Sequence, residues 1–137
     1  MTDRLRHQAT WLMSRANLRA HTLLQQAFSA ADSRPYFYRI MATLESADRL
    51  SQADIGRATG LDRSDVTNSL RTLEAQGFIA RESDSTDGRR MLVRLTPAGH
   101  RELDRLAAVL ASVQEEFLAP LTPSERQTLT QLLDRLG

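Results

Sequence analysis

The stretch SQADIGRATGLDRSDVTNSLRTLEAQG, residues 51–77, decides how this chain folds. Ser51 with Asp54 three residues on is an N-cap signal, opening a short helix with Ile55 and Ala58 turned inward. Gly60 tolerates the positive φ at which such a helix ends. Asp62 caps the next helix, and Asp65 lies in its first turn, where the helix dipole favours an acid. Val66, Leu70 and Leu73 then recur along one face until Gly77 stops the helix. Ile55, Leu61, Val66 and Leu70 form a shared core, and Gly56 is the small residue expected where the two helices cross. That is a helix-turn-helix.

Working outward, the period changes from helical to alternating. Phe78 to Glu82 and Met91 to Leu95 read as two short strands, and the polar loop between them holds the turn pair Asp87-Gly88. A hairpin placed directly after a helix-turn-helix is a wing. Thr96-Pro97 opens a long helix to about Ala119. Its Leu103, Leu106, Leu110, Val113 and Phe117 make a heptad-like stripe that another helix must cover. Leu121-Thr122-Pro123-Ser124-Glu125 repeats the cap and starts a last helix carrying Leu129, Leu132, Leu133 and Leu136. Upstream, Leu5, Ala9, Leu12, Ala16, Leu23 and Ala27 give one helix from about Arg4 to Ala31. Asp32 to Pro35 breaks it before a second helix running to about Ala47.

The expected fold is mainly α with a small β-hairpin wing, in the order α-α-α-α-β-β-α-α. It is read as one domain, 1–137, with a winged lobe at about 35–95. Dimerisation helices lie at about 4–31 and 97–136, because their leucine stripes exceed what one small lobe can cover.

Composition narrows the function. A length of 137 residues supports a core without metal or disulfides, and the absence of cysteine removes thiolate metal sites, Cys nucleophiles and thiol redox sensing. The charged N-terminus and the interrupting Arg15 and Arg19 do not read as a signal peptide or membrane span, so a cytoplasmic location is expected. His7, His21 and His100 are scattered, and no glycine-rich phosphate loop or paired-carboxylate pattern stands out; an enzyme is not expected. A net charge of +1 gives no basic field, so nucleic-acid binding must rest on a few placed groups.

At two places the sequence resembles the MarR (multiple antibiotic resistance regulator) family. Gly60 to Asn68, followed by Leu73 to Arg81, is similar to that family's recognition helix and first wing strand. Asp87-Gly88-Arg89-Arg90, followed by Leu95-Thr96-Pro97-Ala98-Gly99, resembles its wing signature, an Asp-x-Arg turn running into a Leu-Thr-x-x-Gly helix start. The resemblance implies a homodimeric repressor on a palindromic double-stranded DNA operator, without cofactor, released by a small phenolic or aromatic acid. On the recognition helix Arg63, Ser64, Thr67, Asn68 and Arg71 should be exposed. Asn68 and Arg71 suit base edges, while Ser64 and Thr67 suit phosphate or a thymine methyl. In the wing Arg89 suits the minor groove, with Asp87 orienting its guanidinium and Arg90 on phosphate.

An effector site is sought on the first helix. Trp11 and Arg15 stand one turn apart, placing an aromatic plane beside a cation, which suits an aromatic carboxylate. His21 lies about 120° round the helix from Arg15 and could join them only from the partner chain. Tyr38 is a hydroxyl partner, with Tyr36 and His100 as further ones. Two alternatives stand beside this reading: a winged-helix regulator with no small-molecule response, and a winged-helix module that docks protein.

Overall fold

Capping decides where the helices begin and end. In the computed structural model, which describes residues 2–137, the chain runs α1 (Asp3–Arg6), α2 (Ala9–Ala30), α3 (Pro35–Ala47), β1 (Arg49–Ser51) and α4 (Gln52–Thr59). It continues through α5 (Arg63–Ala75), β2 (Ile79–Ser83), β3 (Met91–Leu95), α6 (Pro97–Leu118) and α7 (Pro123–Leu136). Ser51 and Asp62 cap α4 and α5 as expected, and Thr122 with Glu125 forms a full capping box on α7. Pro35 sits in the first turn of α3. At the end of α5 the Phe78 N–H reaches the Leu73 carbonyl and Gly77 N–H reaches Glu74, with Gly77 at φ 80°. This Schellman pair fixes the angle at which the chain enters the wing.

The residues form two compact units, Phe28–Ala108 and Met1–Ala27 with Val109–Gly137. The first contains the winged helix-turn-helix and reaches past the expected boundaries of about 35–95. Phe28 and Leu106 are fully buried side chains, and Phe28 meets Tyr38 edge-on at 6.3 Å. Ile40, Met41, Leu44, Ile55, Val66, Leu70, Leu73 and Val93 are buried with them in its core. Burying each such side chain contributes roughly 1.5–3 kcal/mol, so this lobe has a core of its own.

Four details differ from the sequence reading. A third strand, β1, makes the sheet order β1-β3-β2, with Arg49 opposite Arg94 and Ser51 opposite Leu92. Three residues are too few to show alternation, and the positive φ of Asp48, 65°, is what turns the chain back onto β3. The first helix is split, because Gln8 N–H bonds the Leu5 carbonyl in a tighter turn before α2 begins. In α4 the inward residue is Thr59, not Ala58, which is exposed. The buried Thr59 hydroxyl is satisfied by the Ile55 carbonyl at 2.7 Å, so its methyl can pack without an orphaned donor.

The fourth concerns glycine. At Gly56 a Cβ would meet Leu61 O at 3.7 Å and Val66 Cγ2 at 4.0 Å, ordinary contacts, so the helix crossing does not demand glycine. Gly99 does. A Cβ there would overlap the Phe78 carbonyl oxygen and press on Leu95 Cδ1 at 2.7 Å. The wing signature therefore ends in glycine because α6 starts against the backbone of the wing's root. Thr96 ties the same corner: its hydroxyl donates to the Gly77 carbonyl at 2.6 Å and accepts the Gly99 N–H at 3.0 Å.

The second unit has helical segments but little core. Val113 is its one buried apolar residue among those described. Arg19 caps the end of α6, donating to the Phe117 and Glu116 carbonyls at 2.8 and 2.9 Å with its guanidinium over the Phe117 ring. Arg126 of α7 holds Glu115 of α6 through both carboxylate oxygens at 3.0 Å. Leu18 and Leu136 remain 70% and 74% exposed, with Leu12, Leu132 and Leu133 also open to solvent. A unit so poor in buried apolar area cannot hold itself together by its own packing.

Candidate nucleic-acid interface

The Asp62 carboxylate accepts the Asp65 N–H at 2.7 Å, and Val66, Leu70 and Leu73 bury one face of α5. That fixes the roll of the helix. Arg63, Ser64, Asn68 and Arg71 are consequently exposed on the other face, as expected. Thr67 differs: it is half-buried and its hydroxyl is engaged, donating to the Arg63 carbonyl and accepting Gln52 Nε2 at 2.6 Å. Its hydroxyl bridges α4 and α5 internally. Gln52 is a residue the sequence reading missed, since a lone glutamine after an N-cap carries no signal.

The wing loop is organised by its own acids. Asp84 accepts the Thr86 N–H and hydroxyl, its N–H bonds the Arg90 carbonyl at 2.8 Å, and Arg90 N–H bonds the Asp87 carbonyl. The Thr86 backbone and hydroxyl bonds hold the Asp84 carboxyl below the usual carboxylate range. Asp87 Oδ1 accepts the Arg89 backbone N–H at 3.1 Å, so it shapes the turn and does not orient the Arg89 guanidinium as expected. Arg90 also departs from expectation. Its guanidinium, still half-exposed, is paired with Asp54 Oδ2 at 2.9 Å.

The distribution of ion pairs singles out a surface. In the winged lobe Arg49 and Arg94 pair with Glu82, Arg57 and Arg90 with Asp54, Arg81 with Glu74, and Arg105 with Glu102. Arg63, Arg71 and Arg89 make no ion pair among the described residues. Arg34, Arg39 and Arg101, also without ion pairs, lie off α5 and the wing; the first two stand over Phe37 and Tyr36. A nearly neutral lobe thus leaves three guanidiniums without ion pairs on one helix face and one loop tip, Arg63, Arg71 and Arg89. Planar, permanently charged forks placed there fit phosphate and the guanine edge.

The chain matches the MarR family model over residues 37–90. A crystal structure of a probable transcriptional regulator from Pseudomonas aeruginosa is 32% identical, covers 96% of this chain and 98% of its own, and superposes with a TM-score of 0.84. The chain belongs to the MarR family. A transcriptional regulatory protein for the hcr operon of Thauera aromatica is 33% identical over 74% of the chain. The match spans 61% of that relative's length. BpsR of Bordetella bronchiseptica, whose DNA binding is regulated by 6-hydroxynicotinic acid, is 25% identical with a TM-score of 0.85, covering 95% of this chain and 93% of its own. MarR family members are transcriptional regulators and not enzymes.

The four effector residues fall in both units. Trp11, Arg15 and His21 are exposed on α2 within the helical unit, whereas Tyr38 is half-buried in the winged lobe against Phe28. Within the helical unit, Arg15 and Arg19 line a groove of about 450 Å³ with Leu12, Ala16, Phe117 and Leu121. Arg19 is committed to the carbonyls of α6. Of the further hydroxyl and imidazole partners, Tyr36 lies beneath Arg39 and His100 stands 3.9 Å from Glu45. No helix among the described residues is long and apolar enough to cross a membrane.

Proposed function

We propose that the chain is a homodimeric, sequence-specific double-stranded-DNA-binding repressor that leaves its palindromic operator when a small aromatic acid binds. The observation carrying the DNA reading is the placement of Arg63, Arg71 and Arg89, unpaired beside Ser64 and Asn68, in a lobe that neutralises most of its other arginines. α5 enters a major groove with Asn68 and Arg71 on base edges, and Arg89 reaches the neighbouring minor groove. The exposed leucines of α2 and α7 support dimerisation. Each protomer then presents one reading head, about 34 Å from the other along the duplex. The test is fluorescence anisotropy on a duplex selected from a random library by the protein itself. Affinity should fall by ~10³-fold between about 50 and about 200 mM salt, as phosphate-bound counterions are released. Binding that ignores salt, or no binding to any duplex at low salt, would favour a protein-docking wing.

For the effector, Arg15 supplies the carboxylate contact and Trp11 the stacking plane, with His21 of the second copy as a further polar partner. The small acid acting on BpsR supports this chemistry. Ligand would favour a spacing of the two reading heads that mismatches successive major grooves, a coupling of about 1–3 kcal/mol. Calorimetry with 6-hydroxynicotinic acid and simple hydroxybenzoic acids should give heat with the wild type. Arg15→Ala should weaken it about tenfold or more, the size of a lost charge-assisted pair. Binding undisturbed by that substitution would move the site off Arg15.

A further inference from the structure

Asp54 stands where three parts of the winged lobe meet. Its Oδ2 accepts the Ser51 hydroxyl at 2.8 Å and the Arg90 guanidinium at 2.9 Å, and its Oδ1 pairs with Arg57 one turn on. Ser51 ends β1, opposite Leu92, and Arg90 is the residue immediately before β3. Asp54 itself belongs to the first turn of α4, the helix that supports the recognition helix.

The wing needs such a hold. The last paired residues at its base are Ser83 and Met91, so the loop from Asp84 to Arg90 projects beyond the sheet. Its other hydrogen bonds close it on itself: Asp84 to Arg90 and Thr86, and Asp87 to Arg89 and Arg90. Those bonds fix the loop's shape and leave its angle to the helix-turn-helix undetermined. A two-residue pivot of the hairpin would swing the tip, and Arg89 with it. The Arg90–Asp54 pair is the side-chain link that runs from this loop to α4 among the described residues.

We infer that Asp54 is a positioning residue for DNA recognition: by holding Arg90 it locks the wing to the helix-turn-helix and places Arg89 at a fixed distance from Asn68 and Arg71. This rests on the DNA-binding reading above. The Ser51 hydroxyl, and after it Arg57, hold the Asp54 carboxyl below the usual carboxylate range, so the link is ionised at neutral pH. Asp84 is the other acid that feels Arg90, but its Oδ1 is taken by the Thr86 N–H and hydroxyl, and no ion pair joins it to Arg90 among the described residues. Asp54 therefore spends Arg90 on orientation, and Arg89 is left as the wing's reading group.

The experiment is a double-mutant cycle between Asp54→Asn and Arg89→Ala, read as dimer affinity for the library-selected duplex at fixed salt. Asp54→Asn alone should weaken binding about tenfold, and Arg89→Ala should cost much less in that background than in the wild type, since groups sharing one geometry are not additive. A residue that merely stabilises α4 would leave the Arg89 cost unchanged. Because Asp54→Asn also touches the Ser51 cap, Arg90→Gln is the second variant; it leaves the cap whole and should reproduce both the loss and the coupling. Additive effects in both backgrounds would overturn the proposal. So would a rise in affinity with Asp54→Asn, which would make the carboxylate a competitor of phosphate for Arg90. If Arg89→Ala has no effect in the wild type, the wing's role in DNA binding fails before the positioning of Asp54 is reached.

Discussion

Gly99→Ala should destabilise the protein by about 3 kcal/mol and lower its unfolding midpoint by about 10 °C, although the position is a helix start without positive φ. The cost is steric. The added Cβ would overlap the Phe78 carbonyl oxygen, which is backbone and cannot rotate away. Moving Phe78 would break the 3.0 Å bond that its carbonyl accepts from Thr96 N–H. Thr96 would then lose its bridge between Gly77 and Gly99, and with it the cap of α6. Each such bond contributes about 1 kcal/mol, on top of about 1–3 kcal/mol for overpacking. Gly56→Ala is the matched control. Its Cβ meets only ordinary contacts, so the variant should be neutral or up to about 1 kcal/mol more stable through reduced chain entropy. Thermal and urea unfolding at one protein concentration measure both, since a dimer's midpoint moves with concentration. A Gly99→Ala protein within about 0.5 kcal/mol of wild type would mean that α6 can slide away from the wing's root.

The contrast between these two glycines marks how far the sequence could be read. Caps were legible because Ser51, Asp62, Thr96 and Thr122 act on backbone groups three residues away, within the window in which local pattern and local geometry coincide. The same holds for the exposed face of α5, which follows from Val66, Leu70 and Leu73 being buried. Contacts made across the sequence were not legible. β1 is defined by its partner β3, some forty residues later, and not by any alternation of its own. Arg90 looked like a phosphate ligand until the fold brought Asp54, 36 residues away, against it. Gln52 on Thr67 and Phe78 against Gly99 are of the same kind. In the helical unit a leucine stripe signals that something covers it, whereas Trp11, Arg15 and His21 carry no local rule that joins them into a site.

Arg71→Ala together with Arg89→Ala should weaken binding to the selected duplex by at least about 100-fold, with the fold intact. A single base- or groove-reading arginine is worth about 1–3 kcal/mol, and a dimer loses two copies of each. Neither side chain holds the lobe together: both are exposed and neither forms an ion pair among the described residues. Melting temperature should therefore stay close to that of wild type, in contrast with Gly99→Ala. The two positions should fail differently. Without Arg71 the protein should discriminate less between the selected duplex and a scrambled one. Without Arg89 the loss depends on how narrow the minor groove is beside the half-site. Arg94→Ala is the decisive control. It removes the same charge from the same lobe, but from a guanidinium already turned to Glu82 at 3.8 Å. If binding depends on placed groups, Arg94→Ala should change affinity by less than about threefold, the scale of a screened surface charge. If instead Arg94→Ala weakens binding as much as Arg71→Ala, the protein attracts DNA through a diffuse positive field. The division of its arginines into paired and unpaired sets would then say nothing about recognition.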